Sequence, residues 1–213
     1  MPKAWRKEQN QDHFFQQAKK DGYRARSAYK LLEINDKFHL IRPGTSILDL
    51  GAAPGSWSQV AAKLGPSSRI VAVDLQPMQP LPGVQSLQAD ITRPETLAKI
   101  ETLLPNGAGL VLSDVAPAAS GVPLVDHARS IQLAEASLKI ALHFLKGNGA
   151  FVVKVFQGED LPGFVARAKQ SFEAVRVFRP EASRKESDEH YLVCQRPHRD
   201  NEKSAAPDPD TTS

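Results

Sequence analysis

The chain has 213 residues, of which 41% are hydrophobic and 24% are charged, and its formal net charge is +3. This length predicts one domain with a sizeable core, and the balanced charges exclude global disorder. No apolar run approaches the roughly 20 residues of a membrane span, and the single cysteine, Cys194, excludes an internal disulfide. We therefore predict a cytoplasmic protein that does not attach to a membrane. We also expect it to be a monomer.

Basic side chains are concentrated at the start of the chain. Residues 1–30 carry eight basic and three acidic side chains, so this stretch has a net charge of +5 and the remainder −2. Such asymmetry indicates a polyanionic partner, although a solvated basic helix would have the same composition. We predict a basic N-terminal extension over residues 1–21 and phosphate contacts from residues 19–26. Residues 197–213 contain no large apolar side chain and are predicted to be a disordered tail.

Between these ends, short apolar runs alternate with segments of helical period. The elements predicted in chain order are helix 27–38, strand 46–48, helix 56–64, strand 70–73, helix 94–104, strand 110–112, helix 126–145 and strands 151–153, 174–178 and 191–194. Ser27 is expected to cap the first helix, and Thr92 with Glu95 to form a capping box around Pro94.

The alternation of strand and helix determines the predicted fold. Continuously apolar strands are usually buried on both faces of a parallel sheet, so the pattern predicts a doubly wound α/β fold. The last two strands are joined by a polar loop without a helix. We therefore expect a mostly parallel, Rossmann-like sheet with an antiparallel pair at its C-terminal end.

Four predicted strands end at or near an acidic residue. Asp49 closes the first strand and Asp74 the second, while a third strand is expected to end near Asp90 and the fourth at Asp114. Ligands of open α/β sheets bind at the carboxyl ends of the strands, so these acids are candidates for a shared site. Each one alone could equally be a helix cap.

The turn after the first strand and a lysine in a later strand are two further signals. Residues 49–55 (DLGAAPG) allow a tight turn but contain neither the phosphate-binding nor the three-glycine dinucleotide fingerprint. Lys154 interrupts the apolar strand 151–156 (FVVKVF), where an ammonium group needs carboxylates or a cavity to compensate for lost hydration. A lysine that extends from the strand end to solvent is the alternative.

Five motifs in order carry a resemblance to a known family. They are residues 24–31 (RARSAYKL), 48–55 (LDLGAAPG), 113–117 (SDVAP), 152–158 (VVKVFQG) and 183–191, which begin SR and end EHY. Residues 22–196 thereby resemble the FtsJ/RrmJ-type (RlmE family) ribosomal RNA ribose 2′-O-methyltransferases, a family that includes enzymes acting on a uridine of the large-subunit (23S) rRNA. The resemblance implies an S-adenosylmethionine-dependent methyltransferase domain over residues 22–196, with ribosomal RNA as partner and no metal.

The resemblance also implies roles for individual residues. The positions that align with the catalytic tetrad of the family are Lys30, Asp114, Lys154 and Glu189. The positions that align with its S-adenosylmethionine site are Gly55, Trp57, Asp74, Asp90 and Asp114. This chain departs from the family pattern at Ser56, where glycine is usual, and at Ala118, where asparagine is usual. Ser56 is expected to be tolerated if its φ is negative.

The chemistry of ribose methylation leaves the role of Lys154 open. A lysine amine accepts a proton only when it is neutral; burial or a neighbouring cation such as Lys30 favours that form, whereas carboxylates favour the charged form. Lys154 is therefore either a base or an electrostatic clamp on the 2′-oxygen. Two other classes remain as alternatives: a catalytically silent RNA-binding assembly factor and a nicotinamide-dependent oxidoreductase.

Overall fold

The computed structural model describes residues 13–118, 120–184 and 187–198, and its core is a seven-stranded sheet. The strands are β1 (Ile47–Leu50), β2 (Ile70–Asp74), β3 (Val84–Gln88), β4 (Ala108–Ser113), β5 (Leu145–Phe156), β6 (Phe172–Phe178) and β7 (Glu189–Pro197). The helices are α1 (His13–Lys20), α2 (Ala28–Phe38), α3 (Ser56–Leu64), α4 (Pro94–Leu103), α5 (Pro123–Phe144) and α6 (Leu161–Ser171).

The strand order is β3-β2-β1-β4-β5-β7-β6. The first five strands in this order pair in parallel, and β7 pairs antiparallel with both β5 and β6. The predicted doubly wound sheet with an antiparallel C-terminal end is confirmed. The order reverses between β1 and β4, and the carboxyl ends of strands at such a switch point leave a crevice for a ligand.

Apolar side chains from the central strands alternate between two hydrophobic clusters, one on each face of the sheet. Leu48 and Leu50 of β1 pack into the cluster formed with α4, α5 and α6, whereas Ile47 packs into the cluster formed with α2 and α3. Every residue of β1 is buried. This burial on both faces explains why the central strands are nearly continuous apolar runs.

Both predicted helix caps differ from the structure. Ser27 is the residue before α2, but its hydroxyl is bonded to the hydroxyl of Ser56 at 2.8 Å and does not cap the helix. Helix α4 begins at Pro94, and the hydroxyl of Thr92 donates to Asp90 Oδ1 at 2.7 Å. The predicted capping box is therefore wrong, because the nearby carboxylate takes the hydroxyl that would have capped the helix.

The two ends of the chain were predicted to lie outside the domain. Helix α1 belongs to the predicted extension, and its Ala18 is buried. Residues 1–12 of that extension and residues 199–213 of the predicted tail lie outside the described residues, so these boundaries stay predictions. None of the helices that the structure describes combines the length and apolarity needed to cross a bilayer.

Candidate active site

A cavity of about 630 Å³ opens at the carboxyl ends of β1, β2, β3 and β4. Three of the acids predicted for the site, Asp74, Asp90 and Asp114, line it together with the turn after β1. The turn requires glycine at position 51: its φ is 72°, and a Cβ there would lie 2.7 Å from Val115 Cγ2. The doubly wound order thus brings residues from four separate strand ends to one pocket.

Backbone hydrogen bonds fix the carboxylate of Asp74 at the pocket wall. The amide of Ala53 donates to Asp74 Oδ2 at 2.9 Å, and the amide of Gln76 donates to Oδ1 at 2.8 Å. Each oxygen keeps lone pairs that can accept from a further donor. Asp74 can therefore accept hydrogen bonds from two adjacent hydroxyl groups of a bound ribose without being repositioned.

Asp90 also lines the cavity and is held by its own turn. The amide and the hydroxyl of Thr92 donate to Asp90 Oδ1 at 2.9 and 2.7 Å. These two hydrogen bonds hold the pKa of Asp90 below its ordinary value. Its carboxylate is thus charged at neutral pH, and it is available as an acceptor for an amino group.

Lys154 and Asp114 form an ion pair beside the cavity. Lys154 Nζ donates to Asp114 Oδ1 at 3.0 Å and to the backbone carbonyl oxygen of Asp114 at 2.7 Å. The Lys154 side chain is 8% exposed and that of Asp114 is 16% exposed. The lysine in the apolar strand is therefore compensated by a carboxylate, as its burial requires, and does not extend freely into solvent.

Tyr191 is a site residue for which the sequence predicted no role. It lies directly opposite Lys154 in the β5–β7 ladder, and its fully buried hydroxyl donates to Asp114 Oδ1 at 2.7 Å. Burial raises the pKa of Tyr191, and the negative charges of Asp114 and Glu189 raise it further, so the phenol remains a donor. One signal was present in the sequence: Tyr191 follows Glu189 by two residues and so shares its face of the strand.

The other predicted lysine and carboxylate form a second ion pair. Lys30 Nζ on α2 lies 2.5 Å from Glu189 Oε1 at the start of β7, and both side chains are nearly buried. Lys30 Nζ also lies 6.0 Å from the centre of the Tyr191 ring. The four residues aligned with the catalytic tetrad are thus two ion pairs, Lys154–Asp114 and Lys30–Glu189, which meet at one tyrosine.

Two residues predicted for the cofactor site do not line the cavity. Trp57 is 2% exposed, donates from Nε1 to the carbonyl oxygen of Ser27 at 2.8 Å, and packs against Tyr191 with ring centres 5.6 Å apart. Gly55 has a φ of 107°, and its open face is covered by Arg24 and other side chains. Trp57 thus supports the site from behind the turn, and Gly55 ends the turn against Arg24.

The two departures from the family pattern are accommodated differently. Ser56 is the first residue of α3 and does not have a positive φ, so the condition for its tolerance is met. Its hydroxyl also bonds to Ser27, which ties α3 to the residue before α2. Ala118 lines the cavity, where it presents only a methyl group to a ligand.

Asp49 lies fully buried beneath the site. Ser58 donates to its Oδ2 at 2.6 Å, while Oδ1 has no hydrogen-bond partner among the described residues. Burial raises the pKa of Asp49 to about 7; the Ser58 hydrogen bond lowers it, and the negative charges of Asp114 and Asp74 raise it. Asp49 therefore changes its charge near neutral pH.

Comparison with known proteins identifies the family. Residues 23–197 match the profile of the family described as FtsJ-like methyltransferase. The chain is 52% identical over 186 residues to ribosomal RNA large subunit methyltransferase E of Archaeoglobus fulgidus. The aligned residues cover 87% of this chain and 96% of that relative. It is 49% identical over 196 residues to the protein of that name from Thiobacillus denitrificans, with coverages of 91% and 89%.

The chain belongs to the FtsJ-like methyltransferase family. A Plasmodium falciparum structure assigned as a ribosomal RNA methyltransferase superposes on this FtsJ-like methyltransferase with a TM-score of 0.74 at 28% identity, covering 82% of this chain and 98% of that one. A Streptococcus mutans methyltransferase solved with S-adenosylhomocysteine shares the fold, with a TM-score of 0.51, 12% identity and coverages of 78% and 96%. Membership of the family removes the oxidoreductase alternative.

The pocket of this FtsJ-like methyltransferase fits a cationic nucleoside cofactor. Its carboxylates are complementary to a positive charge, Asp74 offers acceptors to ribose hydroxyls, and Leu75, 65% exposed, offers an apolar surface to a base. Among residues 13–118, 120–184 and 187–198, no three His, Cys, Asp or Glu side chains are grouped as metal ligands.

Proposed function

We propose that this protein transfers a methyl group from S-adenosylmethionine to the 2′-hydroxyl of a ribose in ribosomal RNA, on a uridine of the large-subunit (23S) rRNA. The proposal is supported by the relatives named as ribosomal RNA large subunit methyltransferases. The observation that carries it is the Lys154–Asp114 ion pair at the edge of the cavity. Asp114 also lines the cofactor cavity, but its pairing with Lys154 places an amine at the edge of that cavity, which suits the activation of a weakly acidic hydroxyl.

In this proposal, S-adenosylmethionine supplies an activated methyl group, and the protein positions and activates the acceptor. Lys154 Nζ first releases to solvent the proton that it carries in its ion pair with Asp114, and the neutral amine then takes the proton of the 2′-hydroxyl. The 2′-oxygen forms the bond to the methyl carbon, the bond from that carbon to sulfur breaks, and the electron pair stays on sulfur. In-line approach at roughly 3 Å contributes to the acceleration because it removes the entropic cost of bringing the two groups together.

The neighbouring residues have orienting roles. Asp114 accepts from both Lys154 and Tyr191 and thereby fixes the direction of the lysine side chain. Lys30, held by Glu189, provides a positive charge on the side of the site from which α2 approaches. We assign Lys30 and Glu189 to the placement of the RNA backbone near the reacting ribose.

Cofactor and RNA are assigned to different parts of the molecule. Asp74 accepts from the ribose hydroxyls of the cofactor, and Asp90 accepts from the amino group of its adenine. Exposed Lys19 and Lys20 at the end of α1 contact RNA phosphates, which explains the basic start of the chain. With ribosomal RNA as substrate, we place the enzyme in the cytoplasm.

Transfer of tritium from methyl-labelled S-adenosylmethionine tests this function. Labelling of large ribosomal subunits or naked large-subunit RNA is measured, and the RNA is then hydrolysed in alkali. A ribose 2′-O-methyl group blocks cleavage at its own linkage, so we expect the label in one alkali-resistant dinucleotide that contains uridine. Label on a free nucleotide would show base methylation and contradict the proposal. RNA binding without any label would support the silent assembly factor instead.

A further inference from the structure

Arg24 joins two segments that surround the cavity. Its Nη1 donates to the carbonyl oxygens of Pro54 at 2.9 Å and Gln79 at 2.7 Å, and its Nη2 donates to that of Pro80 at 2.8 Å. Pro54 belongs to the turn after β1, whereas Gln79 and Pro80 belong to the β2–β3 loop (residues 75–83). A single guanidinium group thus fixes the distance between the turn and the loop.

The backbone of Arg24 is itself held by a helix. The Arg24 amide donates to Gln59 Oε1 at 2.8 Å, and Gln59 Nε2 donates to the carbonyl oxygen of Gly22 at 3.1 Å. Gln59 lies in α3, which packs into the core beside β1. Arg24 is therefore anchored at both ends. Its backbone is held by α3, and its guanidinium group is held by three carbonyl groups.

The glycine at position 55 makes room for this arrangement. A Cβ there would lie 2.8 Å from Arg24 Nη1 and 2.9 Å from Met78 Sδ. The φ of Gly55 is 107°, which a residue with a side chain rarely adopts. Position 55 therefore needs glycine so that Arg24 and the β2–β3 loop can lie directly on the turn.

Both segments tied by Arg24 form walls of the cavity. The turn contributes Ala53 and Pro54 to the lining, and the β2–β3 loop contributes Leu75, Gln76 and Pro77. Hydrogen bonds from a charged donor are stronger than neutral ones, and a planar guanidinium can serve several acceptors in fixed directions. Removal of these bonds would let the loop move relative to the turn and would change the shape of the pocket.

We propose that Arg24 is a positioning residue for the cofactor: it holds the β2–β3 loop against the turn after β1 and so sets the affinity for S-adenosylmethionine. The identity of the ligand rests on the proposed function. This role differs from the phosphate contact predicted from the charge of residues 19–26, because the Arg24 head group is directed to backbone carbonyls. Arg26 likewise donates to the carbonyl oxygen of Ala182, at 2.6 Å.

Two variants, Arg24→Lys and Arg24→Ala, test the proposal. Lysine keeps the charge but cannot reproduce the planar donor pattern, and alanine removes both the charge and the donors. Calorimetry should therefore show S-adenosylmethionine binding about ten- to a hundredfold weaker in both variants. In steady-state kinetics, KM for S-adenosylmethionine should rise by the same factor, while kcat at saturating cofactor and KM for RNA change less than about twofold. This split distinguishes positioning of the cofactor from a general loss of folded protein, which would lower kcat.

Arg26→Lys is the matched control, because Arg26 lies in the same segment but contacts a different loop. It should leave cofactor affinity unchanged. Equal affinity of wild type and Arg24→Lys would overturn the role of Arg24, as would a loss of RNA affinity with cofactor affinity intact. If kcat fell together with the folded fraction, Arg24 would be a general structural residue and the proposal would be wrong. Failure of the wild type to bind S-adenosylmethionine would instead overturn the proposed function.

Discussion

Tyr191→Phe removes one hydroxyl from the point where the two ion pairs meet. Asp114 Oδ1 accepts from Tyr191 at 2.7 Å and from Lys154 at 3.0 Å, so the variant takes one of two donors from a nearly buried carboxylate oxygen. The ring is retained, and its packing against Trp57 at 5.6 Å persists. The variant therefore isolates the hydrogen bond from the hydrophobic contact.

The expected magnitude follows from burial and charge. A hydrogen bond to a charged group contributes about 1.5–3 kcal/mol, and Tyr191 is fully buried, so solvent cannot replace the missing donor. We expect the free energy of unfolding to fall by about that amount, which lowers Tm by about 3–12 °C for a domain of this size. Because Asp114 directs Lys154, we expect kcat to fall about ten- to a hundredfold.

Urea unfolding and steady-state methyl transfer measure the two effects. Tyr29→Phe is the matched control, since the Tyr29 hydroxyl donates to Asp21 Oδ2 at 2.6 Å on the exposed surface. The control should lose less stability and keep its kcat. If Tyr191→Phe lost stability but kept full kcat, the Tyr191–Asp114 bond would be purely structural, and the reasoning about the orientation of Lys154 would be refuted.

Three further changes have directions that follow from the structure. The raised pKa of Asp49 means that the folded protein holds a proton between about pH 4 and 7 that the unfolded chain has released, so stability falls as pH rises through this range. Relative to Asp49→Asn, the wild type should lose about 1.4 kcal/mol of unfolding free energy per unit of pKa difference, measured by urea titrations at several pH values. Asp74→Ala should weaken calorimetric S-adenosylmethionine binding by about 1–3 kcal/mol, because the ribose hydroxyls lose their acceptor. Charge reversal at Lys19 and Lys20 should weaken RNA binding and reduce the slope of log affinity against log salt by about 0.7–0.9 for each phosphate that the protein no longer neutralises.

Each of these changes has an outcome that contradicts its reasoning. A wild-type stability that tracks Asp49→Asn at every pH would mean that Asp49 does not titrate in this range. Unchanged cofactor affinity in Asp74→Ala would mean that the ribose binds in another part of the pocket. Weaker RNA binding with an unchanged salt slope, after reversal of Lys19 and Lys20, would exclude phosphate contacts as the cause.

The strands that are buried on both faces could be predicted from their apolar runs, whereas for the exposed β3 only an end near Asp90 could be predicted. Strands β1, β2, β4 and β5 are apolar runs because each is covered by helices on both sides. In contrast, the sequence of β3 (VQSLQ) has neither a continuous apolar run nor a regular alternation of apolar and polar residues, because the strand is largely exposed. Its sequence is therefore only a weak indication of a strand. Helix α6 has Pro162 and Gly163 in its first turn. Proline and glycine in sequence are typical of loops, so the sequence did not predict this helix.

The part of the site that could be predicted from the sequence was the set of acids at the strand ends. Three acids that each follow a strand line one cavity, because the carboxyl ends of parallel strands meet at one edge. The pairing of charges could not be predicted: the sequence did not indicate which carboxylate faces which lysine, and the structure pairs Glu189 with Lys30 and Asp114 with Lys154. This pairing depends on the β5–β7 register and on the approach of α2, neither of which leaves a local pattern in the sequence.

The most direct test of the account is the rate of methyl transfer by Lys154 variants. We expect Lys154→Ala to fold, to bind S-adenosylmethionine as the wild type does, and to lose about 10²–10⁴-fold in kcat, as for a positioned acid–base group. Lys154→Arg should not restore the rate, because guanidinium stays protonated and cannot take the hydroxyl proton. The wild-type rate should rise with pH through one ionisation that is absent in Lys154→Ala. Near-full activity in Lys154→Arg would show an electrostatic clamp instead of a base, and near-full activity in Lys154→Ala would contradict the central claim.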